Sequence, residues 1–233
     1  MTYVLVHGAT FAASCWDLLV PYLDDDDVIA IDLPGRGSRP ADLSHVAIAD
    51  FVTAVVAEIE ARDLRDVVLI GHSLAGITLP GVAARVSDRL SRLVFVAATV
   101  PEHGQSVMEA LDAATRDVAA ANQDGGEFTA SEEWARAAFC NDMDDQQAQW
   151  TLAHMGPEAP GVMIEPVDLT GLDTSVARSW VRLLQDAVIA PEQQSEYATR
   201  IGADVIDLDA GHMAMISRPQ ALAAVLRSLR DGR

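Results

Sequence analysis

Four short aliphatic runs limit this chain more than any other feature: Val4-Leu5-Val6, Val28-Ile29-Ala30-Ile31, Val67–Ile70 and Leu93-Val94-Phe95-Val96. Each is continuous rather than alternating, and each is closed by turn-forming residues. A strand with one wet face alternates. A continuous run needs both faces covered, as in a parallel sheet between layers of helices. The segments between the runs supply such helices. In "AIADFVTAVVAEIEARDL", Ile48, Phe51, Val52, Val55, Val56 and Ile59 recur at three- and four-residue steps. Phe11 to Leu23 is a second helical candidate, with Trp16, Leu19, Val20 and Leu23 on one face and Pro21 weakening its last turn.

The alternation resumes after residue 170. "ARSWVRLLQD" (177–186) reads as a strand, and "PEQQSEYATRI" as a helix with Pro191 at its start. "ADVIDLDAG" reads as a strand whose flanking aspartates suit a sheet edge, and "SRPQALAAVLRSLR" as a last helix. The expectation is an α/β fold, a doubly wound, mainly parallel six-stranded sheet built from residues 1–100 and 171–233. Residues 101–170 break the rhythm. They are helical and loop-like, with no convincing strand, and read as a helical lid inserted between core strands. The plainer alternative is a decoration without a role.

A chain of 233 residues suits one domain carrying such an insertion. The formal net charge of −19 argues against nucleic acid and against anionic membrane surfaces as partners. No apolar stretch reaches the length of a membrane span, and "MTYVLVHG" has no positively charged leader. Cys15 and Cys140 alone make no disulfide framework. The expectation is a cytoplasmic protein. "DDDD" at 24–27 reads as an exposed loop. "NDMDD" at 141–145 resembles a metal loop but lacks the glycine and distal glutamate of a calcium site, so no metal is expected.

Chemistry enters with "VVLIGHSLAG". A strand, then G-x-S-x-small, then a helix is the pattern that lifts a serine nucleophile onto a sharp turn. Gly71 and Ala75 are the small neighbours, with Ala75 standing where glycine is usual. The competing reading is that Ser73 caps the helix. A nucleophilic serine needs a base, and the base needs an orienting carboxylate. Of the six histidines, His212 follows the final strand in "LDAGHMAM" and is the candidate base. His7 and His72 read as braces, His45 and His154 as surface or packing residues, and His103 as a residue that could line a pocket. Asp186 ends a strand 26 residues before His212 and is the candidate acid, with Glu102 as the alternative. The order Ser73, Asp186, His212 is the hydrolase order. The loop after the first strand, "VHGATFAASCW", would offer the Ala9 N–H to an oxyanion, and Leu74 would offer the second.

Together these pieces resemble the α/β-hydrolase superfamily, and more narrowly the plant methylesterase and hydroxynitrile-lyase group with its bacterial esterase relatives. The segments that carry the likeness are "VLVHGA", "AIDLPGRG", "VVLIGHSLAG", "LVFVAATVPEHG", "QDAVIAPEQQ" and "GHMAMISRPQAL". The resemblance implies catalysis without metal or organic cofactor. It puts Ser73, Asp186 and His212 in the triad and Ala9 and Leu74 at the oxyanion hole. It also leaves a homodimer open. The lyases of the group carry Thr where this chain has Gly8 and Lys where it has Met213, which disfavours cyanohydrin cleavage. The expected activity is hydrolysis of a small, lipophilic carboxylic ester through an acyl-enzyme. Thioester or lactone hydrolysis is the nearest alternative. Cofactor-free oxygenation or C–C cleavage, and ligand binding without catalysis, stand further off. Trp134, Phe139, Trp150, Met155 and Met213 are the candidate substrate-pocket residues. Phe128 and Met163 are further lid candidates, and Leu74 joins Met213 at the floor.

Overall fold

A computed structural model describes residues 2–23, 27–111, 123–124, 127–128 and 131–231. Most of the acidic run 24–27 lies outside them. Its strands are β1 (Thr2–Val6), β2 (Asp27–Ile31), β3 (Val67–His72), β4 (Leu90–Val96), β5 (Gln123–Asp124), β6 (Glu127–Phe128), β7 (Ala177–Leu183) and β8 (Asp204–Leu208). Six of them form one sheet in the order β2-β1-β3-β4-β7-β8, and every pairing in it is parallel. The aliphatic runs therefore lie inside a parallel sheet, as their continuity requires. Their side chains alternate between two cores. Val4, Val6 and Leu69 face one, and Tyr3, Leu5, Val68 and Ile70 face the other. Each such side chain, fully buried, contributes roughly 1.5–3 kcal/mol.

The helices are α1 (Ile48–Ala61), α2 (Leu79–Val86), α3 (Val107–Ala110), α4 (Glu132–Phe139), α5 (Asp145–Ala153), α6 (Pro160–Ile164), α7 (Pro191–Arg200), α8 (Ala214–Ser217) and α9 (Pro219–Asp231). Phe51, Val52, Val55, Val56 and Ile59 of α1 are buried in the first core, as their spacing predicts. Leu222 and Leu226 of α9 are buried in the second. Among the described residues no helix is long and apolar enough to cross a membrane.

Three sequence expectations need adjustment. Residues 11–23 form no α-helix but two 3₁₀ turns, Ala13–Trp16 and Val20–Tyr22. Their amides bond three residues back, from Cys15 to Ala12, Leu19 to Trp16 and Leu23 to Val20. Pro21 has no N–H for a four-residue ladder. The apolar face was read correctly all the same, since Trp16, Leu19 and Leu23 are buried. The strand read over 177–186 stops at Leu183, and residues 184–186 turn away. Residues 101–170 contain the short antiparallel pair β5–β6, where no strand was expected. The sheet edge was read correctly. β8 pairs only with β7, and Asp204, Val205 and Asp207 are exposed.

The chain leaves the sheet after β4 and returns at β7, its immediate neighbour. The helices α3 to α6 are thus an excursion between adjacent strands. The winding reverses at β1: β2 lies on one side of it and β3 on the other. Loops leaving β1 and β3 must therefore part at that point, which opens a crevice at the carboxyl ends of the strands.

Candidate active site

Ser73 stands at this crevice, one residue past the end of β3, with φ of 52°. A non-glycine residue in that region stores roughly 1–3 kcal/mol and needs its surroundings to hold it there. Here the Thr99 amide donates to the Ser73 carbonyl at 2.8 Å. A 3₁₀ turn, Ser73–Ile77, leads from the serine towards α2. Small residues are required where the chain doubles back. A Cβ on Gly71 would lie 2.5 Å from Leu79 Cδ1, and one on Gly76 would lie 2.3 Å from the Thr99 carbonyl oxygen. Ala75 is buried without such a conflict, so the tight position falls one residue later, at Gly76. Gly8, after β1, presses on the serine itself: a Cβ there would be 2.7 Å from Ser73 Cβ. Ala9 is half-buried beside it, and Leu74 is buried.

His212 is 1% exposed, and its Nδ1–H donates to Asp186 Oδ2 at 2.8 Å. Its Nε2 has no hydrogen-bond partner among the described residues. His212 is tied to the residue that precedes the serine. His72 Nε2–H donates to the His212 carbonyl at 2.9 Å, and the two rings are 4.6 Å apart. Burial, then the neighbouring His212, holds the His72 pKa well below the ordinary histidine value, so His72 is neutral. The Phe139 ring, on the insertion, is 5.6 Å from that of His212.

Asp186 lies in the turn after β7, and its oxygens are fully used. Oδ1 accepts from the amides of Val188 and Ile189 at 2.7 and 2.9 Å. Oδ2 accepts from Gln194 Nε2 at 3.1 Å as well as from His212. Gln194, on α7, is completely buried, and its Oε1 also accepts the Leu183 N–H at 3.0 Å. Sequence reasoning missed it. Its one available signal was a glutamine on the inner face of a helix directly after the candidate acid.

The remaining histidines fall out of the site. His7 is a buried brace: its Nε2 accepts from the Leu33 amide, its Nδ1–H donates to the Gly8 carbonyl, and burial lowers its pKa. His45 and His154 are exposed, the latter stacked on Trp150. His103 is exposed and accepts from the Leu169 amide, away from His212. Glu102, the alternative acid, is exposed and lies 3.8 Å from Arg200. Burial raises the pKa of both Cys15 and Cys140, so both thiols stay protonated at neutral pH.

Of the pocket candidates, Phe139 lies against His212, Trp134 meets Phe139 edge-on at 5.4 Å, and Met213 is fully buried beside the base. Met163 is buried in the core on the other face of the sheet. The side chain of Phe128 lies outside the described residues. Met155 lines a groove of about 510 Å³ between α4 and α5, along with Ala135, Arg136, Leu152 and Pro157. Neither Ser73 nor His212 contributes to that groove. No group of three or more His, Cys, Asp or Glu residues suited to a metal ion occurs among the described residues.

The chain is similar to several known hydrolases. The carbendazim-hydrolysing esterase of a Nocardioides species is 30% identical, over 97% of this chain and 98% of its own length. A putative chloroplastic methylesterase of Arabidopsis thaliana is 24% identical, over 96% of this chain and 70% of its own. Among solved structures, an extracellular α/β-hydrolase from a Paenibacillus species superposes with a TM-score of 0.90 at 26% identity, covering 98% of each chain. That enzyme is described as sharing structural and functional homology with tobacco salicylic acid binding protein 2. The model of the α/β-hydrolase family matches residues 3–225, and this chain is a member of that family.

Proposed function

We propose that the protein is a serine esterase acting on small, lipophilic carboxylic esters, with Ser73, His212 and Asp186 as its catalytic triad. What carries this reading is the buried His212–Asp186 pair, with a free Nε2 and a ring 4.6 Å from that of His72, the residue just before a serine held at positive φ. The Nδ1–H of His212 is committed to Asp186, so the lone pair on Nε2 is the basic site. His212 takes the Ser73 proton as the hydroxyl attacks the ester carbonyl, and Asp186 stabilises the imidazolium that forms. The amides of Ala9 and Leu74 receive the oxyanion, a role in which one lost donor costs about 10²–10³ in rate. His212 then returns the proton to the leaving alcohol, and water releases the acid from the acyl-enzyme.

The Phe139 ring beside His212, backed by that of Trp134, suits an apolar substrate, with the insertion serving as its lid. The esterase and methylesterase names of the relatives favour an ester over a thioester or lactone. Gly8 argues against lyase chemistry for a physical reason. A Thr side chain there would begin 2.7 Å from Ser73 Cβ and force the loop outward. Turnover of p-nitrophenyl acetate by the Ser73→Ala variant is the decisive measurement. Near-complete loss is expected, and retention of most of the activity would remove Ser73 from the mechanism.

A further inference from the structure

A buried ion pair ties the turn after β2 to the insertion, and no step of the reaction uses its charge. Arg36 belongs to the turn after β2, and Glu158 to the stretch between α5 and α6. Their side chains are 5% and 2% exposed and meet at 2.7 Å. Two ions so far from water persist only with good geometry and additional hydrogen bonds. Glu158 has those bonds. Its Oε1 accepts the Ala159 N–H at 2.8 Å, and its Oε2 accepts the Thr10 N–H at 2.9 Å. Two residues earlier, the Gly156 amide donates to the Thr10 carbonyl at 2.8 Å. One short stretch of the insertion therefore holds both backbone polar groups of Thr10.

Thr10 needs such holding. It is β-branched and sits at φ of 65°, a region that a β-branched residue enters only under constraint. Its N–H shares a peptide plane with the Ala9 carbonyl, so fixing it fixes the ψ angle of Ala9. Gly8, on the other side of Ala9, is already pressed against Ser73. Ala9 is thus pinned from both directions, once by the serine turn and once by Glu158.

We propose that Arg36 and Glu158 are a positioning pair that sets the Ala9 oxyanion donor, so that the donor reaches its working geometry only when the insertion is seated. The proposal rests on the esterase reading above. Arg36 cancels the charge of Glu158, which lets a carboxylate stand behind the loop without opposing the oxyanion.

The test uses p-nitrophenyl acetate and three variants, with Ser73→Ala as control. Arg36→Met/Glu158→Leu removes both charges together and the acceptor for Thr10. Its kcat should fall about 10²-fold with KM little changed, the mark of a lost transition-state donor. Arg36→Met/Glu158→Gln keeps an oxygen facing the Thr10 amide without leaving Arg36 buried and unpaired, and should recover most of that loss. Glu158→Asp keeps the charge opposite Arg36 but withdraws it by one methylene. It serves if the Arg36→Met/Glu158→Leu variant does not fold, and its kcat should fall about tenfold. A folded Arg36→Met/Glu158→Leu variant, or a Glu158→Asp enzyme, with kcat within threefold of the parent overturns the proposal. So does an Arg36→Met/Glu158→Gln enzyme as slow as the Arg36→Met/Glu158→Leu enzyme. An inactive Ser73→Ala beside such results leaves the esterase reading standing, whereas an active one removes both.

Discussion

Asp186 and Glu158 are both buried carboxylates, one behind the base and the other behind the loop that meets Ser73, yet they are satisfied in opposite ways. Asp186 accepts four hydrogen bonds from two amides, a glutamine and a histidine, and no arginine among the described residues touches it. Glu158 accepts two amides and pairs with Arg36. Neutral donors stabilise a carboxylate while leaving its negative charge uncancelled, so Asp186 can still attract an imidazolium. Arg36 cancels the charge of Glu158, which then acts only through its shape and its hydrogen bonds. In the proposed mechanism, charge is kept where a positive partner develops during turnover, and neutralised where a developing oxyanion would be repelled.

The largest expected effect separates the two carboxylates by charge. Asp186→Asn preserves volume but can turn an amide towards His212 and reverse its tautomer, and the corresponding change in serine-protease triads costs about 10⁴ in kcat. Arg36→Met/Glu158→Gln, which removes the charge of Glu158 but keeps its shape, should cost only a few-fold. Similar losses for the two variants in one ester assay would end the distinction.

A smaller effect is expected from Gln194→Leu. It leaves the Leu183 amide unpaired and removes one donor from Asp186. Each orphaned buried group costs about 1–3 kcal/mol, readable as a lowered urea midpoint. A midpoint unchanged from the parent would show that the glutamine is dispensable to the acid's surroundings.

The smallest effect concerns the two buried braces, His7 and His72, whose pKa values are lowered by burial. Below the ordinary histidine value the unfolded chain takes up protons that these residues refuse in the folded state. Folding stability should therefore fall as pH drops below about 6.5, by up to about 1.4 kcal/mol per pH unit for each residue. The lowered carboxylates, Asp32 among them, act in a separate window. Their contribution is present above the ordinary aspartate value and is lost only as pH falls beneath it. Denaturation curves at pH 7.5 and 5.5 are the check, and coincident curves would contradict the neutrality of both histidines.

The proposed base side of the site is legible in sequence because strands carry its residues. Ser73, Asp186 and His212 each follow a strand of one parallel sheet, and parallel strands bring their carboxyl ends to one edge. The oxyanion side was legible only as far as "VHGA". Arg36 in a turn and Glu158 in a polar stretch look solvated in sequence, and no periodicity links a loop after β2 to the return of an insertion. The misread helix at residues 11–23 has a related cause. Apolar spacing reports which side chains are buried, as Trp16, Leu19 and Leu23 are, but three-residue and four-residue hydrogen bonding bury almost the same face.

The sequence by itself determined the parallel sheet and placed Ser73, Asp186 and His212 each after one of its strands. Local periodicity and strand order are sufficient for these, because a sheet repeats one geometry along its whole width. Only the tertiary structure decided which polar groups hold those side chains. Gln194 behind Asp186, His72 on the His212 carbonyl, and the Arg36–Glu158 pair on Thr10 depend on loops of unrelated register meeting in space. A hydrogen bond has a reach of about 3 Å and a narrow range of angles. Spacing along a chain cannot specify such a contact; packing the whole molecule can.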